Sequence, residues 1–530
     1  MKNGPAMTSR NAIFACLILL IILGAIQTCL ATLPLWGADS DIADPVLIWQ
    51  GLHLHGIGFL QNWRYTGDNW LLSLIPIDFL LFALAGHAPF ILLLVGLGIF
   101  YAIIVLVYLI IDAECGRLAA LATATVLLFT GRPALGADGF LTYPISHGIT
   151  LAWGLLGLLC ATRWLRVPDK KWLIASGISL YIGCQSDPWG TFAFLLPMML
   201  ASVVLLLLHR AENTGPEGRA LRAVVAMGLV VIGLIITRLF GILFFLPSPP
   251  HHFAPISAML QRALIALRYI PVFFNVIPDS FTAISTTPTN LITGIDTAIL
   301  MTLLGITGVK LFRAITTLTL TRKFLILTSL ISLGLMGAAL IGSDFPLNMT
   351  TARYLSNFFV FVPILIAIGW SGVTLYNPRG TALISILATG SIIAGLVSNQ
   401  LTLRPTIPHN GIPSLAKFLS AHHLSFGYGP YWPTEANAMN WVSKGAVTIR
   451  PIVFNPQSGR FVPKGVLTSQ AWYQHPPQSS RSFLIVQTQA NSCGTKITCI
   501  GAAEQQFGQP SRILPYRSLS ILVFDHPLRF

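Results

Sequence analysis

Three uncharged apolar runs, Ile13 to Leu35, Ala88 to Ile111 and Pro188 to Leu208, decide what this chain can become. Each is long enough to cross the hydrocarbon core of a bilayer, which takes about 20 apolar residues. Composition agrees, with 54% of the 530 residues hydrophobic and only 9% charged, against about 25% charged in an ordinary soluble protein. A soluble globular enzyme is excluded, and the chain reads as a polytopic integral membrane protein. The net charge of +14 does not point to nucleic acid, because the basic residues form no dense run and have to be sorted by side of the membrane first.

The N-terminus carries Lys2 and Arg10, followed by 28 uncharged residues before Asp39. That is longer than the apolar core of a signal peptide, so the segment is expected to remain as the first helix. Further spans are expected at 88–111, 117–132, 143–162, 172–186, 189–208, 222–247, 290–309, 324–343, 354–376 and 380–403, about 11 crossings in all. Asn69 to Gly86 is apolar but holds Pro76 and Asp78 and ends in Gly-His-Ala-Pro. If it is a re-entrant or interfacial helix on the outer side, the loops assigned to the cytoplasm beyond residue 111 hold 13 Lys and Arg. The outer loops then hold four, Arg132, Arg262, Arg268 and Arg353. Making it a full crossing would invert that ratio and break the positive-inside rule.

The expected architecture is therefore a mainly α, polytopic transmembrane helix bundle over residues 1–403, with an outer loop at 36–87. The N-terminus lies in the cytoplasm. The tail 404–530 is rich in Pro, Gln and Ser, has strand-like runs at Ala446 to Phe454, Ser482 to Thr488 and Leu519 to Asp525, and reads as a small extracytoplasmic α/β domain. Cys493 and Cys499 fall in that tail and are expected to be bridged, since an oxidising compartment favours disulfides. The other five cysteines lie in or beside apolar segments, where a thiol acts as a small hydrophobe.

Carboxylates cost free energy near lipid, so their positions carry information. The first outer loop opens Trp36-Gly-Ala-Asp39-Ser-Asp41-Ile-Ala-Asp44-Pro45, three acids within six residues. Such a cluster suits a general base or a divalent-metal site. The alternative is that one Asp caps the helix that Val46 to Trp49 would begin, with Asp44 beside Pro45 the preferred cap, but a cap needs only one of the three acids. Asp138, Asp187 and Asp344 fall on the same side; Asp187, followed by Pro188, is expected to be a helix cap. Asp78, Asp296 and Arg238 sit inside apolar segments without a partner legible in the sequence. Asn62-Trp-Arg64-Tyr-Thr-Gly-Asp68-Asn-Trp70 mixes aromatic, amide and charged groups, as sugar-binding surfaces and interfacial aromatic belts both do. Thr351-Ala-Arg353-Tyr354 puts an arginine at the outer mouth of a span, where it can hold a phosphate or snorkel to the headgroups. His251 and His252 form an adjacent pair in the loop 248–289. No Walker loop, GxGxxG, HExxH, nucleophile elbow or CxxC is present, which removes most soluble nucleotide and hydrolase chemistry.

This layout resembles the GT-C class of membrane glycosyltransferases, which includes protein mannosyltransferases and aminoarabinose transferases. The resemblance rests on Asp39, Asp41 and Asp44 just after the first helix, the partly buried helix in Asn69 to Gly86, Asp138 outside the third span, Arg353-Tyr354-Leu355 and the extracytoplasmic C-terminal domain. The Asp-Glu pair usual in that class is replaced here by Asp-Ser-Asp-Ile-Ala-Asp, and the Pro-Pro that commonly opens the loop's closing helix is missing. The resemblance implies that Asp41 or Asp39 is the catalytic base, with Asp44, Arg64, Asp68, Asp138, Arg353 and Tyr354 around the substrates and a divalent metal as an optional cofactor. The implied donor is a polyprenyl-phosphate-linked sugar, and the acceptor a lipid, glycan or protein; the implied setting is a bacterial inner membrane. The competing classes are a secondary transporter or lipid flippase, and a non-catalytic envelope assembly protein.

Overall fold

The structure, a computed structural model, describes residues 9–32, 39–130, 141–208, 215–236, 244, 253–269, 299, 302–311, 313, 317–345, 347, 351–374, 390, 411–474, 481–487, 493 and 498–530. Asp138, Arg132, Arg238, Asp296, His251, His252 and nearly all of the expected span 380–403 lie outside them.

The first helices in order are α1 (Ser9–Thr32), α2 (Ser40–His55), α3 (Gly58–Asn62), α4 (Ile75–Ala85), α5 (Pro89–Cys115), α6 (Arg117–Thr130), α7 (His147–Arg166) and α8 (Lys170–Ser186). A π-helical turn, Thr191–Leu195, leads into α9 (Leu196–Leu208), followed by α10 (Pro216–Ile236), α11 (Ile256–Tyr269), α12 (Thr302–Leu311) and α13 (Leu320–Gly342). A 3₁₀ turn, Thr351–Leu355, precedes α14 (Phe358–Thr374). Among the described residues seven helices are long and apolar enough to cross a bilayer. Helix α4 has 11 residues, about 16 Å of rise and well short of the roughly 30 Å core. The segment read as re-entrant or interfacial thus forms a short helix rather than a crossing.

The bundle packs around Phe100, Phe194, Phe324, Phe359 and Phe361, all fully buried. One of its ends is tied by Glu114, which accepts from Arg166 Nη2 at 2.7 Å and from Thr321 Oγ1 at 3.0 Å. These bonds gather the end of α5, the end of α7 and the start of α13 at one end of the bundle.

At the opposite end sits the C-terminal sheet, in strand order β4-β3-β2-β6-β8-β7. Its strands are β2 (Phe426–Pro430), β3 (Thr448–Asn455), β4 (Arg460–Pro463), β6 (Ser482–Gln487), β7 (Arg512–Tyr516) and β8 (Leu519–Phe524), with β2 parallel to β3 and β6 and the other pairs antiparallel. Helices α15 (Gly411–Ala421) and α16 (Ala436–Val442) cover one face. Beyond the short α17 (Ala471–Gln474), α18 (Cys499–Phe507) and the Cys493–Cys499 disulfide cover the other. The expected bridge is present, with a Cα separation of 5.1 Å.

Two features fuse this sheet to the first loop. Ile42, Ala43 and Val46 of α2 share one apolar cluster with Leu415, Met439, Trp441, Phe483 and Ile521. A two-residue strand of the loop, β1 (Trp63–Arg64), pairs antiparallel with β5 (Thr468–Ser469), Trp63 opposite Ser469. Trp63 is 1% exposed and lies edge-on to Trp472, centroids 5.5 Å apart. A glycine is needed at Gly51 for the loop to fold back, because a Cβ there would stand 2.2 Å from the Phe59 ring.

Candidate active site

The acid cluster after α1 resolves into three different environments. Asp39 is the helix cap: its Oδ1 accepts from the Ile42 amide at 2.9 Å and its Oδ2 from the Tyr143 hydroxyl at 2.6 Å. The expectation that Asp44 caps the helix is corrected. Proline is tolerated in a first turn, but the helix starts at Ser40, so Pro45 lies in its second turn and Asp44 inside the helix. Asp41 and Asp44 both line a cavity of about 270 Å³ between α2, the first loop, the start of α7, the 3₁₀ turn and the C-terminal sheet.

The two carboxyls are linked by Tyr431, whose hydroxyl lies 2.8 Å from Asp41 Oδ1 and 3.2 Å from Asp44 Oδ2. Asn437 Nδ2 donates to Asp44 Oδ1 at 2.6 Å and to the Leu467 carbonyl at 2.9 Å. Burial, and then the charge of Asp41, push the Asp44 carboxyl well above the usual carboxylate range, against the pull of Asn437, Lys464 and Tyr431. Two acids whose surroundings differ in this way divide their roles. Asp44 is buried with both oxygens hydrogen-bonded, whereas Asp41 is half-buried and open to the cavity.

Facing them are three basic or aromatic elements. Lys464 Nζ donates to the Val466 carbonyl at 3.0 Å and lies 4.2 Å from the Tyr431 ring centroid. Burial lowers its pKa while Asp44 and Asp41 raise it. Arg353 lines the same cavity, its guanidinium 5.6 Å from the Tyr354 ring centroid and its buried Nε without a partner. Tyr65 lines it as well, with a buried hydroxyl that also lacks a partner. Orphaned buried polar atoms are rare in folded proteins and mark a strain, a water or a ligand left out of account. Two residues lining the cavity carry such atoms, Arg353 at Nε and Tyr65 at its hydroxyl.

Asp68 keeps some surface open to the cavity while its carboxyl is enclosed by protein, and burial, then Asp187, push its pKa up. Tyr354 packs beside it, stacked on Phe345 with centroids 5.7 Å apart. Arg64 lies on β1 and Asp344 is exposed; neither lines this cavity. Of the residues singled out in the sequence, the structure thus brings together Asp41, Asp44, Asp68 and Arg353, with Tyr354 against them. Tyr431, Lys464, Asn437 and His147 escaped sequence reasoning, and only Tyr431-Trp432, an aromatic pair between prolines, carried a local signal.

A divalent ion does not fit this donor set. Among the described residues no three His, Cys, Asp or Glu side chains converge. Asp41 and Asp44 are already bridged by a tyrosine and faced by an ammonium, whereas a hard cation asks for about six oxygens.

Glu435 couples the sheet to the loop. Its carboxylate accepts from the Ser40 amide at 2.7 Å, its backbone is left-handed at φ 48°, and burial pushes its pKa to about 7. A carboxyl with a raised folded pKa binds more protons folded than unfolded, so its contribution to stability falls as pH rises from the unfolded value toward and past about 7. Glu435→Gln is expected to shrink the drop in melting temperature between pH 5.5 and 8.5 relative to wild type, each measured in the same detergent. An unchanged drop would assign the dependence to other groups.

By sequence the chain matches no family model and no curated protein. By structure it is similar to ArnT from Cupriavidus metallidurans in the apo state, at TM-score 0.57 and 11% identity over 97% of this chain and 98% of that one. The same protein bound to undecaprenyl phosphate aligns at TM-score 0.57 and 11% identity, over 96% and 97% of the two chains. The Archaeoglobus fulgidus oligosaccharyltransferase tethered with an acceptor peptide aligns at TM-score 0.49 and 13% identity, over 89% and 69%. A bundle of membrane-length helices, a first loop closed by a short helix, and a C-terminal sheet seated on that loop, matched end to end with ArnT, give this chain the fold of the GT-C membrane glycosyltransferases.

Proposed function

We propose that the protein is a membrane glycosyltransferase that moves a sugar from a polyprenyl-phosphate donor to an extracytoplasmic acceptor. The observation that carries this reading is a cavity in which Asp41 faces Arg353 and Lys464, with unpaired donors on Arg353 and Tyr65. The ArnT of like fold binds undecaprenyl phosphate, and a lipid-linked phosphate is a ligand that Arg353 and Lys464, lining a cavity at the end of a membrane bundle, suit.

In the reaction, Asp41 takes the proton of the acceptor nucleophile as that atom bonds to the anomeric carbon. The bond from the anomeric carbon to the phosphate oxygen breaks, and its electron pair stays on the phosphate. Arg353 and Lys464 stabilise the charge that develops there, in a site already built to receive it. Attack opposite the leaving phosphate inverts the anomeric centre. Asp44 and Tyr431 orient Asp41, and Trp432, 63% exposed, offers a flat face for the sugar.

The donor's chain lies in lipid while its phosphate reaches the surface. The reading therefore puts residues 36–87 and the domain 404–530 in the periplasm of a bacterial inner membrane, with loops 163–171 and 310–323 in the cytoplasm. A cysteine at Ser458 is then expected to react with an impermeant thiol reagent added to intact spheroplasts, and one at Thr317 only after lysis. Labelling of Thr317 in intact spheroplasts would overturn that orientation. The donor assignment is tested with a photoreactive polyprenyl phosphate in purified membranes. Crosslinks are expected on peptides holding 63–70 or 351–355 and are competed by undecaprenyl phosphate; crosslinks confined to other peptides would refute the site.

A further inference from the structure

One ionisable pair in the cavity wall has no part in the scheme so far. His147, the first residue of α7, places Nδ1 2.6 Å from Asp187 Oδ2, and their side chains are 5% and 2% exposed. The same Oδ2 accepts from Thr150 Oγ1 at 2.9 Å, and Oδ1 accepts from the Trp189 amide at 3.0 Å. The cap expected of Asp187 is therefore formed by one oxygen, which leaves the other for histidine. A carboxylate can only accept, so Nδ1 carries the hydrogen and Nε2 is the nitrogen left for other partners.

The ring is held on its faces. It stacks on Trp189 with centroids 5.1 Å apart and 20° between planes, and Tyr354 packs at 5.0 Å. The imidazole lines the cavity along with Arg353 and Asp68. Joining α7 to the turn after α8 does not call for an ionisable group, because Thr150 and the Trp189 amide already bind Asp187. A buried pair of this kind costs desolvation on both partners, and a charge or proton used by a ligand is what repays it.

We propose that His147 is a third phosphate ligand: as an imidazolium it donates from Nε2 to an oxygen of the donor's phosphate, and Asp187 is the positioning residue that fixes its tautomer and charge. This rests on the lipid-phosphate reading above and deepens it. No proton is transferred in this step. The electron pair of the broken sugar–phosphate bond ends on the phosphate, whose added negative charge the Nε2–H meets while Arg353 and Lys464 hold the other oxygens. The ionisable groups facing the ring are Asp187 after α8, Asp68 on the first loop, and Arg353 and Tyr354 on the 3₁₀ turn.

The test is binding of a polyprenyl methyl phosphate diester to the full chain in nanodiscs between pH 5.5 and 8.5. The diester keeps a single charge throughout, so any titration belongs to the protein. Wild-type affinity is expected to fall roughly tenfold or more as pH rises through the histidine range. His147→Gln is expected to bind weakly at every pH with that slope gone. Asp187→Asn keeps the shape but withdraws the negative partner, so the fall is expected to begin at lower pH. A slope that survives in His147→Gln would assign the titration to another group, Asp68, Asp44, Lys464 or Glu435, and overturn the proposal. Should His147→Gln not fold by its melting curve, Asp187→Asn decides, and an unmoved profile in it overturns the proposal equally. If wild type does not bind the diester at any pH, the lipid-phosphate reading itself falls, and this proposal with it.

Discussion

Asp41→Asn is expected to lower sugar transfer by roughly 10² to 10⁴ with donor binding nearly unchanged, the size of effect that follows loss of a positioned general base. Asparagine keeps an oxygen for the Tyr431 hydroxyl now 2.8 Å from Asp41, so the loop geometry has no reason to move. The two neighbouring acids act as internal controls. Asp44→Asn keeps the size and one oxygen of the side chain and removes the charge that burial opposes, and is expected to retain most activity. Asp39→Asn retains a competent helix cap and is likewise expected to stay near wild type. Single-turnover rates on the three variants distinguish the roles. Full activity in Asp41→Asn, or an equal loss in Asp39→Asn, would remove Asp41 from the chemistry.

The second large effect is at Arg353. Loss of charge-assisted hydrogen bonds from a buried guanidinium costs about 1.5 to 3 kcal/mol, so Arg353→Ala is expected to raise the donor concentration at half-maximal rate by roughly 10- to 100-fold. Arg353→Lys keeps the charge but loses the planar fork and is expected to fall between the two. Melting curves separate this from misfolding. An arginine that only snorkels to headgroups would give a lysine variant with wild-type donor dependence, because lysine reaches the same depth.

Much of this fold is legible in the sequence because its signals are local. The apolar runs, the charge asymmetry of the loops and the helix-breaking Pro76 marked out the bundle and the short helix Ile75–Ala85. The runs read as strands at 446–454, 482–488 and 519–525 correspond to β3, β6 and β8, with boundaries within two residues. Asp41 and Arg353 were legible because a charge next to lipid needs a reason.

What stayed hidden depends on contacts between residues far apart. Tyr431 and Asn437 reach Asp41 and Asp44 across sequence separations of 390 and 393 residues, and Lys464 looked like one of many basic residues in a solvated tail. The pairing of β1 with β5 involves two residues on each side, too few for any periodicity. Asp187 showed its capping oxygen in the sequence but not the one on His147, since the α7–α8 packing that joins them is tertiary. The Asp39 and Asp44 exchange arose from giving the X-Pro rule more weight than the Asp-Ser start of α2.

The central claim is transfer of a sugar from a polyprenyl phosphate by this cavity. It is tested most directly by incubating the purified protein with a polyprenyl-phosphate sugar, radiolabelled in the sugar, and with membranes from cells lacking the protein, then following the label. The account predicts that label passes to a membrane acceptor with wild-type protein, that polyprenyl phosphate accumulates in step with it, and that Asp41→Asn protein of normal melting temperature abolishes both. Label that stays on the polyprenyl phosphate with wild-type protein, across the sugars such lipids carry, or that moves equally well with Asp41→Asn, would contradict it.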